Sequence, residues 1–295
     1  MHPSAKRSFV SLLAILLLTQ LPIFAQKAAL TIEDIFARGT FFPKTVDEVN
    51  WMRNGRFYTS LAGGSVVKYD VTTGQAVETL FEAANLGTQA GNVDGYELSP
   101  DETKLLITTA TEPIYRRSSR SVYYVYDLKT KKAVRLSAGG KQSNAAFSPD
   151  GRRVAFTRDN DLFVSDLQTG TETAITNTGR ANHIINGSTD WVYEEEFSFT
   201  RAFDWNANGT KIAYYTFDET EVPEYNMQVW GGLYPADYRY KYPKAGEKNS
   251  VITLTIFDLA SGQSVKVDIG TETDIYIPRI NWTQNPNVLS VRRMN

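Results

Sequence analysis

The residues best suited to chemistry are carboxylates. Asp190-Trp191-Val192-Tyr193-Glu194-Glu195-Glu196-Phe197 places three consecutive glutamates among aromatic and aliphatic neighbours. A bare acidic run is most often solvated surface, and that reading stands for three glutamates taken alone. The flanks argue for more: Trp191, Val192, Tyr193, Phe197 and Phe199 can anchor the run against a core. On a short helical turn successive side chains lie about 100° apart. Two neighbouring glutamates can then project into one cavity, where their repulsion favours a bound cation such as a primary ammonium.

A basic cluster, Tyr115-Arg116-Arg117-Ser118-Ser119-Arg120, is the natural counterpart. It reads either as an exposed charged hairpin or as the source of an arginine that orients the acidic pair through its donor fork. His183 is the single histidine after the N-terminal segment and has no evident base partner, so it reads as a loop residue. There is no Gly-x-Ser-x-Gly elbow, which makes a serine triad within these residues improbable. Asp159-Asn160-Asp161 opens like a calcium loop but lacks the glycine and distant glutamate, and a tight turn is the better reading.

The elements that position these groups repeat along the chain. Tyr69-Asp70-Val71-Thr72-Thr73-Gly74 returns as Tyr126-Asp127-Leu128-Lys129-Thr130, as Ser165-Asp166-Leu167-Gln168-Thr169-Gly170 and as Phe257-Asp258-Leu259-Ala260-Ser261-Gly262. Each copy joins two alternating strands through a polar turn. The Asp can accept from turn amides and the Gly can take a positive φ. A second motif precedes each hairpin: Trp51-Met52-Arg53-Asn54-Gly55, Leu98-Ser99-Pro100-Asp101, Phe147-Ser148-Pro149-Asp150-Gly151 and Trp205-Asn206-Ala207-Asn208-Gly209, with a weaker copy at Trp282. Together they define a four-stranded antiparallel unit of about 50 residues, the blade of a β-propeller. The fold class expected is all-β, a partial propeller of four to five blades. The interval from Leu98 to Phe147 is 49 residues, but from Phe147 to Trp205 it is 58 and from Trp205 to Trp282 it is 77. The long intervals are insertions, and the glutamate run lies in the first of them.

Composition narrows the function classes. With 295 residues and a net charge of −2, the charge balance gives no electrostatic reason to expect nucleic acid, which needs a basic face. It has no cysteine, which excludes disulfides, thiolate metal sites and a lipid-anchoring cysteine. Lys6 and Arg7, the apolar run Phe9 to Leu18 and the close at Pro22-Ile23-Phe24-Ala25 read as a signal peptide over residues 1–25, with an uncleaved anchor as the alternative. A lead segment over 26–46 and a propeller region over 47–295 follow, and export to the periplasm or the medium is the expectation. No later stretch approaches the roughly 20 apolar residues of a membrane span.

At the motifs just quoted the sequence resembles the dipeptidyl peptidase IV family of serine exopeptidases. Asp190 to Glu196 is similar to that family's double-glutamate motif. The likeness continues through Phe217-Asp218-Glu219-Thr220-Glu221-Val222-Pro223-Glu224-Tyr225 and Tyr242-Pro243-Lys244-Ala245-Gly246-Glu247. The resemblance implies an eight-bladed propeller capping an α/β-hydrolase domain, no cofactor and a homodimer. It implies that Glu195 and Glu196 bind the free N-terminal amine of a peptide and that Arg116 orients the pair. Peptides with Pro or Ala second would be the substrates. The remaining blades and the whole hydrolase domain are then expected to lie outside these 295 residues, leaving no catalytic residue in this chain and an inactive product on its own. A self-standing propeller serving as a binding or scaffold module is the alternative. A tripeptidyl-type relative is less in keeping with the intact Glu195-Glu196 pair.

Overall fold

The computed structural model describes residues 29–43, 48–87 and 91–295, so the signal-like stretch over 1–25 lies outside the described residues. The chain divides into two units, before and after Asp47. In the first, helix α1 (Ile32–Phe36) is capped reciprocally by Thr31 and Asp34 and leaves Ile32 and Phe36 exposed. Among the described residues, no helix is long and apolar enough to cross a membrane.

The second unit is a succession of antiparallel sheets. The first blade runs β1 (Asn50–Trp51), β2 (Phe57–Ala62), β3 (Ser65–Asp70) and β4 (Ala76–Phe81), each strand pairing with the next. The second repeats the pattern with β5 (Val93–Leu98), β6 (Lys104–Pro113), β7 (Ser119–Asp127) and β8 (Lys132–Arg135). The third has β9 (Ser143–Phe147), β10 (Arg153–Arg158), β11 (Asp161–Asp166) and β12 (Glu172–Ala174).

The fourth blade carries both insertions. β13 (Ile184–Asn186) and β14 (Phe203–Trp205) share one edge of β15 (Lys211–Asp218), and the excursion between them holds helix α2 (Trp191–Phe197). The second insertion is a separate ribbon of β16 (Glu224–Val229) and β17 (Ala236–Lys241). The blade then finishes with β18 (Val251–Asp258) and β19 (Gln263–Lys266), and a fifth sheet begins with β20 (Tyr276–Trp282) and β21 (Leu289–Met294).

Period-two alternation explains how the sheets stack. On β6, Leu105 and Ile107 pack with Val66, Phe81 and Tyr96 between the first two blades, whereas Leu106 points the other way to Phe147, Val154 and Phe156. Ala155, Leu162, Phe203, Trp205 and Ile212 fill the next interface. Tyr215, Phe217, Leu254, Ile277 and Ile280 fill the one after. Four apolar layers between five successive sheets are the packing of a propeller.

Both repeated motifs do the work their residue types suggest. The Trp51, Leu98, Phe147, Trp205 and Trp282 copies each end the first strand of a sheet. In the hairpins, Asp127 Oδ1 accepts from the amides of Lys129 and Thr130 (3.1 and 2.7 Å), and Asp166 and Asp258 accept from their own turns at 3.0 Å. These bonds favour the ionised form; in the first hairpin the Thr72 hydroxyl, donating to Asp70 Oδ1 at 2.6 Å, leads in holding the Asp70 carboxyl down at about 2.

Where three hairpins have Gly74, Gly170 and Gly262 in the left-handed region, the second has Lys131 at φ 58°. Lys131→Gly is therefore expected to stabilise the chain. Relief of a left-handed penalty of about 1–2 kcal/mol outweighs about 0.5–1 kcal/mol of added glycine entropy. A denaturant midpoint at or below that of the parent would contradict this.

Candidate functional site

The excursion to α2 leaves the sheet at Gly187, whose φ of +73° suits glycine and whose Cβ, if present, would stand 3.1 Å from Thr157 and 3.2 Å from Leu162. Asp190 then caps the helix. Its Oδ1 accepts from the Tyr193 amide (2.9 Å) and its Oδ2 from the Ser250 hydroxyl (2.6 Å). Burial pushes the Asp190 carboxyl up despite those two bonds. Tyr193 drops into the core, 2% exposed, and its hydroxyl accepts from the Ile277 amide at 2.7 Å. At the other end Ser198 turns left-handed, and Arg279 donates to the Phe197 carbonyl at 2.7 Å. Seven residues are too few for a helix to hold itself, so these anchors fix where the glutamates point.

The three glutamates fan out to different partners, as a step of about 100° per residue requires. Glu194 is buried and accepts from the backbone amides of Arg117 (2.6 Å) and Ser118 (2.8 Å). Glu195 receives Arg116 Nε at 2.8 and 3.1 Å on its two oxygens. Glu196 is exposed and borders a shallow hollow with Trp191, Tyr242, Lys244 and Tyr276. Among the described residues Glu196 has no ion-pair partner, whereas the Arg116–Glu195 pair is half wet, with the arginine side chain 70% exposed and the glutamate 17%. The structure thus brings Arg116 to Glu195 and leaves Glu196 open beside them.

The basic cluster is the tip of the long β6–β7 hairpin, closed by Ile114 N–H donating to Ser118 C=O at 2.8 Å. Its arginines divide their tasks. Arg116 goes to Glu195, Arg117 offers its amide to Glu194, and Arg120 pairs with Glu112 at 2.8 Å. Tyr115 packs on Tyr240 of the β16–β17 ribbon, with ring centroids 5.7 Å apart. The tip, the helix and the ribbon therefore meet at one place, which draws its residues from both insertions of the fourth blade and from the second blade.

Sequence reasoning missed three contributors: Glu194 as a double amide acceptor, Arg279 as the helix C-terminal cap, and Glu219. His183 is half-buried in a turn, with Nδ1 3.4 Å from Thr220 Oγ1. Asp159 and Asn160 form the left-handed turn between β10 and β11, and Asp161 Oδ1 accepts from Thr176, Gly179 and Asn186.

A cavity of about 600 Å³ opens beside α2, bordered by Asp190, Glu194, Glu219 and Tyr115 at one end and by Glu112, Arg120, Lys141 and Arg158 at the other. Burial, reinforced by the Asp190 charge, pushes Glu219 from the usual 4.5 up to about 7. The folded chain thus holds a proton there that the unfolded chain releases above about pH 4.5, so stability falls as pH rises from there through 7. Glu219→Gln is expected to remove that slope. The stability difference between variant and parent should grow by on the order of 2 kcal/mol between pH 5 and pH 8 in favour of the variant. Urea titrations across that range check it, and a constant difference would contradict it.

Comparison with known proteins places this geometry. Residues 99–295 match the family described as "Dipeptidyl peptidase IV (DPP IV) N-terminal region". The chain is 31% identical over 273 residues to the human protein named "Prolyl endopeptidase FAP", covering 88% of this chain and 35% of that one. It is 32% identical over 254 residues to a probable dipeptidyl peptidase 4 of Aspergillus flavus, covering 81% and 32%. Among solved structures, Porphyromonas gingivalis dipeptidyl peptidase 4 superposes with a TM-score of 0.84 at 38% identity, over 90% of this chain and 38% of that one. The chain spans about a third of the length of the relatives it matches.

Proposed function

The chain belongs to the dipeptidyl peptidase IV N-terminal-region family, and we propose that it is the substrate-gating propeller of an exported serine-type dipeptidyl peptidase. In this reading Glu195 and Glu196 hold the free N-terminal amine of a peptide, and Arg116 keeps Glu195 in position. The substrates are peptides with Pro or Ala second. An amine clamped at a fixed distance from a nucleophile on a separate hydrolase domain admits two residues before the cut, which accounts for dipeptide release. The hydrolase domain supplies nucleophile, acid and histidine, so the 295 residues alone bind weakly and do not turn over.

One observation carries the reading. The tip of the second blade fastens two of the three glutamates, through two amides to Glu194 and a guanidinium to Glu195, and leaves Glu196 exposed next to a paired Glu195. A cation arriving there meets one unpaired carboxylate and one already aligned, which is an electrostatic cradle for an ammonium.

The test is the native protein, captured from its source with an antibody to this chain. A mass well above 33.1 kDa, with cleavage of a Gly-Pro chromogenic substrate, is the expected result. A folded, inactive product at or just below that mass would overturn it in favour of a self-standing binding module.

A further inference from the structure

Glu219, directly after β15, is 6% exposed and borders the cavity beside α2. Its backbone is committed elsewhere, the amide donating to His183 C=O (2.8 Å) and the carbonyl accepting from Val222 N–H (3.0 Å). What it turns to the cavity is its carboxyl group, which has no hydrogen-bond or ion-pair partner among the described residues. Four charged groups near it are engaged, whereas Arg239 of β17, on the same cavity, has no ion-pair partner among the described residues. Asp190 serves the helix cap and Ser250, and Glu194 serves two amides. Lys241 of β17 donates to the carbonyls of Thr220 (3.3 Å) and Val222 (2.8 Å), and Asp218 bonds the Thr220 amide. A carboxylate set in a concave, largely desolvated site and without a protein partner is available to a ligand of opposite charge.

The surroundings say what kind of ligand. Among the described residues, no three acidic or histidine side chains converge closely enough to hold a metal ion. The walls here are phenol rings instead: Tyr115 lies against Tyr240 at 5.7 Å and Tyr238 stacks on Tyr240 at 5.4 Å. Aromatic faces and the Glu219 carboxylate, beside Asp190 and Glu194, in a cavity of about 600 Å³ suit an organic cation of ordinary ligand size.

We propose that this end of the cavity is a binding subsite for an organic cation, a guanidinium or alkylammonium head on an apolar stem, with Glu219 as its charge partner. The subsite is separate from the amine cradle, because neither Glu195 nor Glu196 borders this cavity. It stands whether or not the reading of those two glutamates does.

Butylguanidinium chloride is the probe, titrated calorimetrically at low millimolar concentrations into this chain at pH 8. Saturable binding is expected, weakened at least about tenfold in Glu219→Gln, since a charge-assisted bond is lost. With the parent chain alone, affinity should rise from pH 6 to pH 8 as Glu219 ionises, an arm that holds even if the variant folds poorly. No saturable binding at pH 8, or equal affinity in Glu219→Gln, which would place the cation elsewhere, would each overturn the proposal.

Discussion

Replacing Tyr193 with alanine is expected to cost about 3–5 kcal/mol, the range for emptying a buried aromatic site. Its ring meets Phe197 and Phe217 with centroids 4.9 Å away, and Phe199, Tyr276 and Tyr215 at 6.0 to 6.4 Å. The helix, β15 and β20 are thus tied through one side chain, which also accepts the Ile277 amide. Against a total of about 5–15 kcal/mol for a domain, the loss is a large fraction of the whole. Tyr193→Phe separates the two contributions. It keeps the rings and orphans one buried N–H, for about 1–3 kcal/mol. Urea unfolding of both variants checks the ledger. A Tyr193→Ala midpoint within 1 kcal/mol of the parent would mean that α2 is held by its caps alone.

That dependence on one tyrosine marks the limit of what the amino-acid sequence makes legible. The blades are legible because their signals are local. Asp127 bonds amides two and three residues on, and Ser148 donates to Asp150 at 2.6 Å within its own turn. Asp190 as a helix cap is local too. Glu194 is different, because the amides it accepts are 77 and 76 residues away, on another blade's hairpin tip. Arg279 reaches the helix from 82 residues on. No spacing rule links such pairs. They exist because stacking sheets brings the ends of distant strands together. Glu219 is hidden for a related reason: beside Asp218 and Glu221 it reads as solvated charge, and only the loop's path past β15 buries it. That an arginine of the 116–120 cluster can meet the acidic run is open to sequence reasoning because both sit at interruptions of a regular repeat, but the choice of Arg116 among them rests on the family resemblance. The division of the three glutamates, one on two amides, one on a guanidinium and one exposed, follows only from the helix and its anchors.

On the proposed amine-cradle reading, Glu195→Gln made in a full-length dipeptidyl peptidase containing this region should lower kcat/KM for dipeptidyl substrates by about 10–100-fold, with most of the loss in KM. The estimate follows from the chemistry of the cradle. A hydrogen bond between charged groups contributes about 1.5–3 kcal/mol, and each 1.4 kcal/mol is tenfold in affinity. The amide keeps an acceptor for Arg116 but removes the charge that an ammonium requires. Glu196→Gln should cost at least as much, because Glu196 has no ion-pair partner among the described residues to share its charge. Stability gives the control. The Arg116–Glu195 pair is largely wet on the arginine side, 70% exposed, and exposed pairs contribute about 0–1 kcal/mol. Glu195→Gln should therefore melt close to the parent while losing activity. Arg116→Ala should fall between the two, since it frees Glu195 to move without deleting it. Steady-state kinetics with Gly-Pro-p-nitroanilide, beside thermal melts of the same preparations, distinguishes the cases. Unchanged kcat/KM in both glutamate variants would remove the amine cradle from the account of this region. A matched loss of activity and melting temperature would instead make the cluster a structural clamp between blades.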